Sequence, residues 1–197
     1  MRRRLSASRV ASIILVGAAA ALGAAACADD AEDPWIAQGS ALYDRYCALC
    51  HGKSGEGYRS DMADALSNQQ FLSTASDLLL RTGIARGRPG TPMSGWGSAR
   101  GGPLSNADVY ALGRWIRTWQ TTPSIPVDGI HVEGSIDRAK PQWDVRCATC
   151  HGAEGQGATY MSVANPEFLA VANEGFLRWA IAQGRSGTVM VGGDSCR

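Results

Sequence analysis

The chain has 197 residues, with 19 basic and 18 acidic side chains, 45% hydrophobic residues and six cysteines. Without the four arginines of residues 1–26, the remaining 15 basic residues face 18 acidic ones, a net of −3, and Lys53 and Lys140 are the only lysines. That balance excludes a basic nucleic-acid footprint and a lysine patch for steering towards an acidic partner, and the cysteine usage set out below excludes a disulfide scaffold.

Residues 1–9 carry the four arginines, and residues 10–26 form an alanine-rich apolar run ending in small residues before Cys27. A basic start, an apolar stretch and a small-residue exit read as a secretory signal over 1–26. The alternative is an uncleaved membrane anchor, although the run is short for a bilayer and alanine is weakly apolar. Ala24-Ala25-Ala26-Cys27 resembles a bacterial lipobox, with alanine where leucine is usual, so Cys27 is expected to be lipidated and to anchor the chain to a membrane. Residues 27–34 then read as an acidic tether, and the rest of the chain is expected outside the cytoplasm, on the periplasmic side.

Residues 35–46 predict a helix, because Gly39, Tyr43 and Cys47 recur every four residues and share one face. Tyr43 reads as an ordinary core aromatic. The helix leads into Cys47-Ala48-Leu49-Cys50-His51-Gly52, which returns 100 residues later as Cys147-Ala148-Thr149-Cys150-His151-Gly152. C-x-x-C-H is the pattern of covalent haem c attachment. Two thiols three positions apart lie on one side of a helical turn and can add across the two vinyl groups of a porphyrin; the next residue is then an axial imidazole. A lone C-x-x-C would suit a redox dithiol or half a zinc site equally well. Here the histidine follows both times and uses two of the three histidines in the chain. Two haems c are therefore expected, one bound by Cys47, Cys50 and His51, the other by Cys147, Cys150 and His151.

After a glycine-rich loop at 52–57, residues 71–86 predict one or two short helices, with Ser76 and Asp77 offering the cap for 78–85. Gly87-Arg88-Pro89-Gly90-Thr91-Pro92-Met93 is a stiff loop with a methionine at its end. Methionine is more often filler than ligand. On a rigid loop well after the haem motif, however, Met93 is the expected sixth ligand of the iron, with Met62 as the alternative. Residues 105–120 predict the clearest helix: Ser105 is a good N-cap, and Val109, Leu112, Trp115, Ile116 and Trp119 build one apolar face. It is expected to lie across the first helix and close a domain spanning 35–120. Residues 121–130, with Pro123 and Pro126, read as an extended linker.

The remainder, 131–197, repeats the first half. Trp143-Asp144 matches Tyr43-Asp44, and Gly152, Gly155 and Gly157 match Gly52, Gly55 and Gly57, at an offset of 100. From Phe168 the offset is 97: Leu177-Arg178 answers Leu80-Arg81, and Gly184-Arg185-Ser186-Gly187-Thr188-Val189-Met190 answers the Met93 loop. Met190 is thereby the expected ligand of the second iron, and Val189 in place of Pro92 predicts a less rigid loop. The first copy runs on through Trp96 and its closing helix, whereas the second stops seven residues after Met190. It reads as a truncated or frameshifted copy without the closing helix, with Cys196 in the abnormal tail and the second haem more exposed.

Paired C-x-x-C-H-G motifs, an aromatic residue four positions before each first cysteine, a methionine on a glycine-rich loop and a closing helix together resemble tandem class I c-type cytochrome domains over 35–197. The resemblance implies an all-α fold and low-spin haems with His/Met ligands. It also implies a dihaem protein that passes single electrons, as a carrier or as the cytochrome subunit of a respiratory complex, with redox proteins for partners and no catalysis of its own. Two departures stand out: the missing last helix, and the lack of a proline soon after His51 or His151. A carbonyl from that region often holds the other nitrogen of the ligand histidine, so this acceptor is unassigned. Two functions compete. A dihaem peroxidase needs an iron that can open a site, commonly by exchange of a second histidine, and the one spare histidine, His131, reads as a solvated loop residue. A haem sensor or gas-binding module would use the incomplete second site, but no output domain accompanies it.

Overall fold

Most of the helices begin at a side chain that replaces a missing backbone partner of the first turn. Residues 33–58 and 62–193 are described in the computed structural model. The expected leader, Cys27 and Cys196 lie outside them. Asp33 accepts from the Trp35 N–H at 3.0 Å and Pro34 takes the first position of α1 (Pro34–Tyr46), where a missing N–H costs nothing. The single turn α2 (Ala48–His51) follows, hinged at Cys47. Asn68 caps α3 (Gln69–Leu72), and Ser76 caps α4 (Asp77–Arg86) by accepting from the Leu79 N–H at 3.1 Å. α5 (Asn106–Arg117) opens with a reciprocal pair: Ser105 Oγ accepts from the Asp108 N–H, and the Asp108 carboxylate accepts from the Ser105 N–H.

The second copy gives α6 (Ile136–Arg146), α7 (Ala148–His151), α8 (Pro166–Leu169) and α9 (Glu174–Gln183), counterparts of α1 to α4 in the same order. Among the described residues the only other regular features are a 3-10 turn at Ser98–Arg100 and two isolated bridges, Gly97 with Leu104 and Gly184 with Val191. The fold is all-α.

α5 lies across α1, as its apolar face predicts. The crossing is close because position 39 is glycine: a Cβ there would stand 2.2 Å from the Ala111 carbonyl oxygen. Tyr43, Leu72 and Leu112, the largest fully buried side chains, sit in the resulting core. A second apolar cluster straddles the copies, joining Leu79 from α4 to Phe168 and Phe176 from α8 and α9, with Val127 of the linker between them. Residues 121–130 form no helix and are packed down against the rest. The Ile125 N–H donates to the Ser73 carbonyl at 2.7 Å, Val127 is buried, and Gly175 lets the chain pass: a Cβ on it would stand 2.1 Å from the Val127 carbonyl oxygen. By contrast α6 buries none of its residues, and Ile136 and Val145 are 85% and 81% exposed. Among the described residues no counterpart of α5 covers it.

Candidate functional site

The two C-x-x-C-H segments are built alike. α1 ends at Tyr46, and the chain turns at Cys47 into one helical turn that carries Cys50 and His51. The Tyr43 hydroxyl donates to the Gly52 carbonyl at 2.7 Å, and the Gly57 N–H donates to the His51 carbonyl at 2.7 Å. In the second copy the Trp143 indole N–H donates to the Ala153 carbonyl at 2.8 Å and the Gly157 N–H to the His151 carbonyl at 2.7 Å. The glycine after each histidine has φ of 81° and 85°, so the left-handed region is occupied where only glycine enters without strain. Tyr43 is thus a core aromatic that also pins the turn.

The partner of the histidines, unassigned from sequence, is a backbone carbonyl in each copy. His51 Nδ1 lies 2.8 Å from the Asp64 oxygen, and His151 Nδ1 lies 2.9 Å from the Met161 oxygen. A carbonyl can only accept, so the proton sits on Nδ1 and the Nε2 lone pair is left for a metal. Asp64 and Met161 are 97 residues apart, so the copies are already in the second register here. The three-residue difference between them falls between Gly57 and Asp64. This shift in offset was the available signal for the equivalence.

Cys47, Cys50, Cys147 and Cys150 are half-buried free thiols. Burial pushes the Cys47 thiol up to about 12, and burial also raises Cys147. Protonated thiols make poor zinc ligands and poor redox nucleophiles. Among the described residues no three His, Cys, Asp or Glu side chains converge on a metal position. One imidazole nitrogen and two thiols three positions apart per copy suit a haem joined through thioethers.

Met93 and Met190 are half-buried and end loops with one hydrogen-bond pattern. The Arg88 N–H donates to the Met93 carbonyl at 2.7 Å, Thr91 Oγ1 donates to the Arg88 carbonyl at 2.8 Å, and the Met93 N–H donates to Thr91 Oγ1 at 3.2 Å. In the second loop the corresponding distances are 2.8, 2.8 and 3.1 Å, through Arg185, Thr188 and Met190. Substituting Val189 for Pro92 leaves these bonds in place. Met62, the alternative, has φ of 51° and is 42% exposed. His131 has a 93% exposed side chain, with Nδ1 3.1 Å from a Glu174 carboxylate oxygen.

Asp64 also places its carboxyl in the electrostatic reach of His51, Arg88, Arg185 and His151. Burial pushes that carboxyl up, and those four groups oppose the rise. Side chains of both copies therefore converge on one region, which the sequence did not announce.

Residues 34–116 match the family described as cytochrome c oxidase, cbb3-type, subunit III. Over 188 residues, 86% of this chain, it is 26% identical to the cbb3-type cytochrome c oxidase subunit FixP of Bradyrhizobium diazoefficiens. Over 132 residues, 62% of the chain, it is 26% identical to the cbb3-type cytochrome c oxidase subunit CcoP of an Azospirillum species. The chain spans 60% and 41% of the lengths of these two relatives. A chain of the reducing HAO-like protein complex of Kuenenia stuttgartiensis is similar at a TM-score of 0.45 and 18% identity, covering 79% of this chain and 86% of that one.

Proposed function

We propose that this chain is a dihaem c-type cytochrome that passes single electrons, as a carrier or as the cytochrome subunit of a respiratory complex of the kind named for its relatives. Its two halves, 35–120 and 131–197 with the linker between, each hold one covalent haem c, through Cys47 and Cys50 and through Cys147 and Cys150. The observation that carries the reading is the matched pair of imidazoles, each with Nδ1 tied to a backbone carbonyl, which puts the lone pair on Nε2. The bound haem supplies a one-electron Fe(III)/Fe(II) couple.

The residues of the chain keep that couple simple. His51 and His151 cannot rotate away without losing a backbone hydrogen bond. Met93 and Met190 would each offer a neutral thioether on a hydrogen-bonded loop, which would favour the ferrous ion and leave no open position for a substrate. The relatives' names support a respiratory setting. The basic and apolar leader supports export to the periplasmic side, with Cys27 as a lipid anchor. Among the described residues no helix is long and apolar enough to cross a membrane.

The near-infrared band of oxidised iron bound to methionine sulfur tests the ligand set. The purified protein should carry two thioether-linked haems and show the band. Met93→Ala should remove part of its intensity and lower one midpoint potential, while Met62→Ala leaves both unchanged. A band untouched by Met93→Ala and Met190→Ala would overturn the ligand assignment, and a chain without covalent haem would overturn the function.

A further inference from the structure

Each methionine loop is touched by the other copy, but the two are touched unequally. Asn68 Nδ2 donates to the Ser186 carbonyl at 2.9 Å, and Asn165 Nδ2 donates to the Pro89 carbonyl at 3.0 Å. Asn165 is Asn68 shifted by 97, and Ser186 is Pro89 shifted by 97, so this contact is common to both loops. The next one is not. Gln70 Nε2 donates to Ser186 Oγ, and the Ser186 N–H donates to Gln70 Oε1 at 3.3 Å. The groups used are the two that serine has and proline lacks. The residue matched to Gln70 is Glu167, which turns instead to Arg86 at 3.2 Å and to Arg100.

This difference follows what each loop lacks. The first loop contains Pro89 and Pro92, whose rings fix φ and stiffen the run to Met93. The second has Ser186 and Val189 in their places. Its own copy also packs it less: Ile84 of α4 is buried, whereas the matched Ile181 of α9 is exposed, as are Val189 and Val191. Yet the internal hydrogen bonds of the two loops match. The Gln70 amide closes a two-bonded ring on Ser186 and restrains the segment without a proline.

Tyr58 acts from the same side. Its φ of 58° is a left-handed backbone that tyrosine enters only at a cost. There its ring meets Tyr160 edge to face at 6.3 Å. Its hydroxyl stands beside Thr188, the side chain that accepts from the Met190 N–H at 3.1 Å. The second copy has Ala158 after Gly157 where the first has Tyr58 after Gly57, so it has no phenol to return.

We propose that Gln70, on α3 of the first copy, is a positioning residue for Met190, the sulfur ligand of the second copy, with Tyr58 in support. This rests on the dihaem reading above. The first copy restrains by hydrogen bonds, from across the seam, the segment that prolines restrain within the Met93 loop. Sulfur ligation in the second copy is therefore a property of both copies, whereas Met93 depends chiefly on its own loop.

Competition for the sulfur position tests this. Imidazole added to the oxidised holoprotein displaces a methionine thioether, and the near-infrared band fades as it does so. In a Met93→Ala background the band reports Met190 alone, and in a Met190→Ala background it reports Met93 alone. Gln70→Ala should lower the half-bleaching imidazole concentration about three- to tenfold in the first background, as expected for a lost pair of exposed hydrogen bonds, and leave it unchanged in the second. Adding Ser186→Pro, which gives the second loop the residue of the first, should restore the original concentration in the absence of Gln70. Arg114→Gln, at an exposed pair with Asp33, should shift neither background.

An unchanged concentration in Met93→Ala, Gln70→Ala protein that holds two thioether-linked haems would overturn the assignment. So would an equal shift in both backgrounds, which marks general loosening, or a shift that Ser186→Pro does not reverse. If Gln70→Ala does not accumulate, Ser186→Ala decides in its place. It removes the hydroxyl half of the pair at an exposed position and should shift the Met93→Ala background in the same direction; no shift there sinks the proposal. A wild type without covalent haem would instead remove the dihaem reading, and one without the band would remove the ligand assignment.

Discussion

Gly39 and Ala139 occupy equivalent positions and face opposite demands. At 39 the helices cross so closely that a methyl group would stand 2.2 Å from one backbone oxygen and 2.8 Å from Trp115 Cβ. Ala139 is exposed on a helix that nothing of the kind covers. Gly39→Ala gains helix propensity of about 1 kcal/mol but forces the crossing apart, which costs about 1–3 kcal/mol or more. The clash involves backbone that cannot turn aside, so the variant should melt lower. Ala139→Gly meets no such clash and should lose only about 1 kcal/mol of helix propensity. Denaturant midpoints of the two variants check this, and a stabilised Gly39→Ala protein would mean the helices cross less tightly. Legibility at this scale followed side-chain chemistry. The cysteines, histidines and Tyr43 could be read because their own atoms act. Asp64 and Met161 could not, because they serve through a carbonyl that any residue carries.

Among the elements, α8 is held to the first copy by charge. Glu167, in its first turn, pairs with Arg86 at 3.2 Å and with Arg100. The hydrogen bond from Arg86 chiefly holds its carboxyl below the ordinary glutamate value of 4.5; burial opposes this and the Arg100 charge reinforces it. A lowered folded value means the carboxylate is the form the fold prefers. Its contribution is therefore complete above the unfolded value and lost as pH falls through the folded one. Glu167→Gln should destabilise the protein at neutral pH, and its difference from wild type should shrink below about pH 4. Parallel denaturation series at both pH values test this, and a difference that stays constant would assign Glu167 a steric role. Helix starts were the most legible elements, since Ser76 and Ser105 act within three residues of themselves. Asn68 and Asn165 were missed because each does two things, capping its helix and reaching the other copy. Only the first of these is written locally.

At the scale of the whole molecule, the repeat in the sequence suggests two beads on a linker, and the packing makes one body of the described residues. Leu79 of the first copy and Phe168 and Phe176 of the second share a cluster that the linker residue Val127 completes. Phe176 sits at its centre, 4% exposed, edge to face with Phe71 at 6.2 Å and with Phe168 at 6.3 Å, beneath the Arg185 guanidinium at 5.5 Å. None of this could be read from periodicity, because contacts between copies leave no spacing of their own. If the seam is part of the cooperative core, removing the ring should weaken both copies together. Phe176→Ala should cost about 3–5 kcal/mol, and amide exchange should quicken in α4 of the first copy as well as in α9, which carries the change. Independent halves would behave otherwise: α9 would open sooner while α4 kept its wild-type protection. Native-state hydrogen exchange on the two helices distinguishes these results, because the shared cluster couples α4 to α9 only if the copies unfold as one.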